Sequence, residues 1–199
     1  MSTATPISFH STEAPPLPIR RFTVDEYHRL GELGVLSPDD RVELLEGWIF
    51  EKMNQRPVHG FVVGLLNQWL QQNLSAGWIG RCQLPITTDR SEPEPDLAVV
   101  RGEHADYRNH HPGGNDCRLL IEVADTSVQK DRAKATIYSS AGVDEYWLIN
   151  LVDKQLERFA SPAGLEYRET SILQPAETIE IQIDDKTLRL NLTEYFQAD

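Results

Sequence analysis

Two cysteines in 199 residues, Cys82 and Cys117, leave no disulfide framework and no metal-finger or redox spacing. Basic residues are also scarce. Nineteen Lys and Arg stand against 31 Asp and Glu, for a formal net charge of −12. Such a chain gains little from releasing phosphate counterions, so nucleic-acid binding needs a local basic groove or a bridging metal. No apolar run is long enough to cross a bilayer. The first residues lack the charged-then-apolar layout of a secretion signal, and the expectation is a protein of the reducing cytoplasm, with no membrane partner. Internal repeats and low-complexity segments are missing too.

What remains is an ordinary globular mixture, 40% hydrophobic and 25% charged, of a length that suits one domain with a real core. Residues 1 to 20 carry Pro6, Pro15, Pro16 and Pro18 among small polar residues and read as a flexible arm. Residues 21 to 199 read as a single domain. Thr23 and Glu26 make a capping box for a short helix that stops near Gly34. Residues 41 to 53 read as a hairpin turning near Glu46-Gly47, with Glu43 and Leu45 on one face. An acid on an edge strand in water is the simplest account of Glu43. Phe61, Val62, Leu65, Leu66, Trp69 and Leu70 recur at helical spacing over residues 58 to 74, with Gly77 as terminator. His59 falls in the first turn, where a surface or capping role competes with a place in a cleft.

Strands are expected over residues 78–86, 95–100, 118–125 and 145–151, and a helix from Ser127 to about Ala141 with Gly142 closing it. Residues 101–116 read as a polar loop. His104, His110, His111 and nearby Cys117 are zinc ligands by type, but at no familiar spacing, and a solvated loop is the preferred reading. Strands over 154–160, 165–170, 178–183 and 187–190 are expected to form an antiparallel meander. Trp147 and these last strands offer a dimer surface.

The chemistry concentrates between Glu94 and Asn150. Asp96 shares a strand face with Ala98 and Val100, and Glu122 shares one with Leu120 and Ala124. Ionised groups avoid apolar strands unless paired or metal-bound. Neighbouring strands lie about 4.8 Å apart, so two such acids can share one hard divalent cation. On a helical wheel at about 100° per residue, Lys134 falls inside the apolar arc of Ala133, Ile137 and Tyr138. A lysine there either snorkels or has a buried role. Lys130 lies one turn earlier and competes with it.

Pro95-Asp96 followed by Ile121-Glu122-Val123 resembles the Pro-Asp…(Asp/Glu)-X-Lys nuclease superfamily, PD-(D/E)XK. More closely, the chain resembles its Uma-two family of endonucleases, over about residues 20 to 190. The match includes Val42-Glu43-Leu44-Leu45-Glu46-Gly47, His59, Asp131…Lys134…Tyr138 and Ala141-Gly142-Val143-Asp144-Glu145-Tyr146-Trp147-Leu148-Ile149. The resemblance implies an α/β (α+β) restriction-endonuclease-like core, a mixed central sheet flanked by helices with antiparallel hairpins. It also implies phosphodiester hydrolysis dependent on Mg²⁺ or Mn²⁺, with DNA as substrate. Asp96 and Glu122 would hold the metal, with Glu43 and His59 nearby. The superfamily lysine would stand at position 124, where this chain has Ala124, so the resemblance passes its role to Lys134. Two other readings stay open: a nuclease-like scaffold that binds or regulates without cutting, and a glycosidase using paired carboxylates. Oligomeric state is open between monomer and homodimer.

Overall fold

The capping box at Thr23 forms as the residue types require: Glu26 N–H donates to Thr23 Oγ1, and Thr23 N–H donates to the Glu26 carboxylate. It starts α1 (Val24–Glu32). The computed structural model describes residues 19–37 and 39–197, so nearly all of the expected arm lies outside the described residues. A hairpin follows, β1 (Val42–Leu45) and β2 (Trp48–Glu51), with its turn at Glu46-Gly47.

Next comes α2 (Pro57–Asn73). Its buried residues are His59, Val62, Val63, Leu66 and Leu70. Phe61, expected inside, is 56% exposed. It lies about 100° back from Val62, off the arc that the buried residues share. Gly77 does not cap this helix, which ends on an extended Leu74.

Six strands build the central sheet in the order β3-β4-β5-β6-β7-β8. They are β3 (Trp78–Cys82), β4 (Leu97–Arg101), β5 (Cys117–Ala124), β6 (Glu145–Asn150), β7 (Gln155–Ala163) and β8 (Glu166–Leu173). The sheet is mixed, because β5 and β6 run parallel and the other neighbours antiparallel. A parallel pair needs a crossover, and α3 (Val128–Ser140) supplies it. The strand expected over 78–86 stops at Cys82, where Gln83 takes a positive φ. Every residue of β6 is buried, as a strand covered on both faces should be.

Side-chain alternation sends the sheet residues to two cores. Leu97, Val99, Ile121 and Trp147 pack under α2, joined by Ile179, Ile181, Leu188 and Leu190. Ala98, Val100, Leu120 and Leu148 pack under α3, against Ile137 and Tyr138. The last four strands do not form one meander. β7 and β8 extend the central sheet, whereas β9 (Thr178–Ile183) and β10 (Lys186–Asn191) make a separate hairpin whose apolar face covers α2's side of the core. Trp147 is fully buried beside Trp69 and so offers no dimer surface.

Helix α3 ends as Gly142 implies. Gly142 sits at φ +81, and Val143 N–H reaches back to the Tyr138 carbonyl. The same end leaves no room for a side chain on Gly114, where a Cβ would lie 2.2 Å from the Ala141 oxygen. Gly114→Ala is therefore expected to cost about 1–3 kcal/mol. A lowered urea midpoint is the readout, and an unchanged midpoint contradicts this packing.

Candidate active site

The β4–β5 register pairs Leu97 with Ile121, which brings Asp96, just before Leu97, opposite Glu122. Both side chains follow the parity of the α3-facing residues. Asp96 is pinned by three groups. The Val123 N–H donates to Oδ2 at 2.9 Å, His59 Nε2 lies 3.0 Å from the same oxygen, and Gln83 Nε2 donates to Oδ1 at 3.3 Å.

Glu122 takes its partners from α3. Lys134 Nζ donates to Oε1 at 2.9 Å and the Tyr138 hydroxyl donates to the same atom at 2.8 Å. Lys134 Nζ also lies 2.9 Å from Glu43 Oε2 and 3.8 Å from Asp131 Oδ1. Lys130 Nζ donates to the other Glu43 oxygen at 2.9 Å. Glu43 is thus clamped by two ammoniums. Its backbone is brought here by the bridge from Leu44 to Glu92, on the segment leading into β4.

Burial sets the electrostatics of this cluster. It would raise the Glu43 carboxyl, but Lys134 and Lys130 outweigh it and hold Glu43 down at about 2. Glu122 goes the other way. Burial pushes it up to about 8, helped by Asp131, Asp96 and Glu43, although Lys134 opposes the rise. Burial likewise lifts Asp131 against the pull of Lys134, and the Ser127 hydroxyl donates to its carboxylate. For Lys134 burial disfavours the charge, yet Glu122, Glu43 and Asp131 together keep the ammonium protonated well above the usual lysine range. Burial also works against the charged form of His59, and its contact with Asp96 more than restores it.

All five residues singled out from the sequence, Glu43, His59, Asp96, Glu122 and Lys134, line one narrow pocket of about 60 Å³. Glu43 is not an edge acid in water; it is 1% exposed because the β1–β2 hairpin folds over the sheet end. His59 is buried rather than at the surface or at a cap. Lys130 stands nearer solvent than Lys134, at 20% against 3% side-chain exposure. Ser127 does not cap α3 with its side chain, since its hydroxyl goes to Asp131 instead.

Asp131 and Tyr138 entered the sequence analysis only through the family match and the apolar arc, with no role in the site, and Gln83 and Asp125 had none either. Asp131, Lys134 and Tyr138 stand at i, i+3 and i+7, one stripe of a helix, which was the available signal. Nothing local marks Gln83 or Asp125. The loop histidines lie elsewhere: His110 meets the Tyr107 ring edge-on, His111 lies beside Arg81, and the Cys117 thiol donates to the Gly113 carbonyl.

The pocket suits a hard divalent cation by its donors. Six carboxylates line it against four Lys and Arg, which leaves a negative balance. Among the described residues no group of three His, Cys, Asp or Glu side chains forms a ready metal cage. Magnesium does not need one, because it keeps several waters and is held by one or two carboxylates. The pocket has room for about four water-sized species. Asp96 and Glu122 fit that donor set.

Residues 24–192 match the Uma2 family, described as "Putative restriction endonuclease", and the chain belongs to this family. No protein of curated function matches it. Among solved structures it is similar to a crystal structure described as a putative nuclease belonging to DUF820, from Anabaena variabilis ATCC 29413. The TM-score is 0.71 at 18% identity, over 88% of this chain and 97% of that one. At that identity the likeness speaks for the shared fold alone, a mixed sheet flanked by helices.

The ion-pair network makes a stability prediction. Lys134→Met strands Glu43 and Glu122 without their central partner and is expected to cost about 3–5 kcal/mol. Lys130→Met, nearer solvent, should cost clearly less. Urea denaturation of both variants checks this, and equal losses contradict the central place given to Lys134.

Proposed function

We propose that this chain is a metal-dependent endonuclease that hydrolyses phosphodiester bonds in DNA, with Asp96 and Glu122 holding Mg²⁺ or Mn²⁺. One observation supports it above the rest: two buried carboxylates face each other across β4 and β5, with the Lys134 ammonium on one of them. Such a cation, when bound, supplies a nucleophilic water and neutralises charge growing on a phosphoryl group. The protein's own groups do the positioning. The Val123 N–H and His59 hold Asp96 in one orientation, and Tyr138 with Lys134 does the same for Glu122. Glu43 anchors Lys134 without competing for the cation. The Lys134 ammonium, protonated in a site of low dielectric, is placed to stabilise charge that develops in the transition state. Arg41, Lys52 and Lys130 line the same pocket and are suited to phosphate oxygens.

The acidic chain binds DNA by this local groove rather than by its overall field, so affinity falls steeply with salt. The same reading takes the protein as cytoplasmic. As a homodimer it would bring two pockets to the two strands. Among the described residues no helix is long and apolar enough to cross a membrane.

A second reading keeps a specific observation on its side. Lys134 is already engaged by Glu43 and Glu122 at 2.9 Å each, and Ala124 fills the usual lysine position. A scaffold that holds metal and DNA without cutting would look the same.

Nicking of supercoiled plasmid by Mn²⁺-loaded protein at low salt separates the two. The wild type is expected to nick. Asp96→Asn and Glu122→Gln, which keep shape and remove charge, are expected to lose about a hundredfold or more, the equivalent of about 3 kcal/mol. Metal binding with no nicking at high protein concentration favours the scaffold.

A further inference from the structure

Beside the pocket of Asp96 and Glu122 lies a second cavity of about 400 Å³, within the range that holds small organic ligands. Val58, Leu151, Val152 and Phe196 give it an apolar wall, and the exposed cations Arg56 and Lys154 flank it. Among the described residues, Asp125 alone lines both this cavity and the site pocket.

Asp125 is unusual in its surroundings. Its side chain is 7% exposed, and its buried Oδ2 has no hydrogen-bond partner among the described residues. The Arg56 Nε lies 3.9 Å from that oxygen, too far to donate. A buried carboxylate oxygen without a donor destabilises the protein, so a donor that reaches it when the exposed Arg56 side chain swings aside stabilises it. A second cation is the wrong visitor: Arg56 already places positive charge there, and no third ligand stands ready among the described residues.

We propose that this cavity is a base subsite, in which Asp125 accepts a hydrogen bond from the exocyclic amine of a nucleotide adjoining the cleaved bond. This rests on the nuclease reading. A phosphodiester chain in the site pocket continues past Asp125 into the cavity, where the apolar wall covers a base and Arg56 and Lys154 meet its phosphates. Carboxylates accept from the N4 amine of cytosine, whereas thymine offers no amine. The base must leave its stack to enter, so the substrate is single-stranded or locally unpaired DNA. Asp125 is then a specificity-determining residue and not a metal ligand.

Fluorescence anisotropy with labelled dC and dT hexamers tests it, using the full chain in Ca²⁺ to hold turnover down. The wild type is expected to bind the dC hexamer about tenfold more tightly. In Asp125→Ala and Asp125→Leu, which leave no acceptor, the two affinities should converge, while the dT affinity stays within about twofold. Because the substitution removes an unsatisfied acid, the urea midpoint of Asp125→Ala should not fall. Equal wild-type affinities, a preference that survives in both variants, or no binding to either hexamer overturns the subsite. Plasmid nicking in Mn²⁺ keeps the two failures apart. Nicking with no base preference removes the subsite and leaves the nuclease, whereas absence of both nicking and binding removes both.

Discussion

One buried ammonium ties the site to the fold. Lys134 leaves α3 and ends between a carboxylate from β1 and another from β5. A lone charge at that depth would neutralise or unfold its surroundings. Here each partner makes the others tolerable, since Glu43 stays ionised because two lysines face it, and Lys134 stays protonated because three acids do. Such a network is a poor way to gain stability, because apolar side chains of similar volume do as well or better. Its burial beside the pocket that Asp96 and Glu122 line is what the proposed chemistry would use.

The topology explains why these groups meet. The parallel β5–β6 pair forces a crossover, and the crossover helix packs on the face that carries Glu122 and Asp96. The lysine therefore arrives from α3, and Ala124 is buried in the same apolar cluster as Ile137 and Tyr138. The opposite face, under α2 and the β9–β10 hairpin, is mainly apolar, and its buried Glu145 accepts from the Trp147 indole. The candidate site groups thus gather on the α3 side of the sheet. His59 is the exception: it stands in the first turn of α2 and reaches Asp96 from there.

Much of this was legible in the chain. Strand alternation placed Asp96 and Glu122 on one face, and the helical wheel turned Lys134 inward, because both rest on local periodicity. The helix from Ser127 to about Ala141 followed from the same local patterns, whereas the mixed sheet was implied by the family resemblance alone. What escaped depends on contacts between distant segments. Glu43 looked like a solvated edge acid, since nothing near it announces that Leu44 will bridge to Glu92 and bury it. Phe61 seemed a core residue because the wheel marks an apolar arc but not which part of it meets the sheet. The open oxygen of Asp125 is invisible in sequence, where any acid looks like any other. Trp147, read as a contact for a second copy, turned inward because a strand covered on both faces has no outer side.

The proposed site requires that Asp96 and Glu122 act together on one cation. Anomalous scattering from crystals soaked in Mn²⁺ addresses this without reference to activity. A peak between the two carboxylates, within bonding distance of both, with Lys134 still on Glu43, is the predicted result. A peak elsewhere, or none while Glu122 remains held by Lys134 and Tyr138 alone, would contradict it.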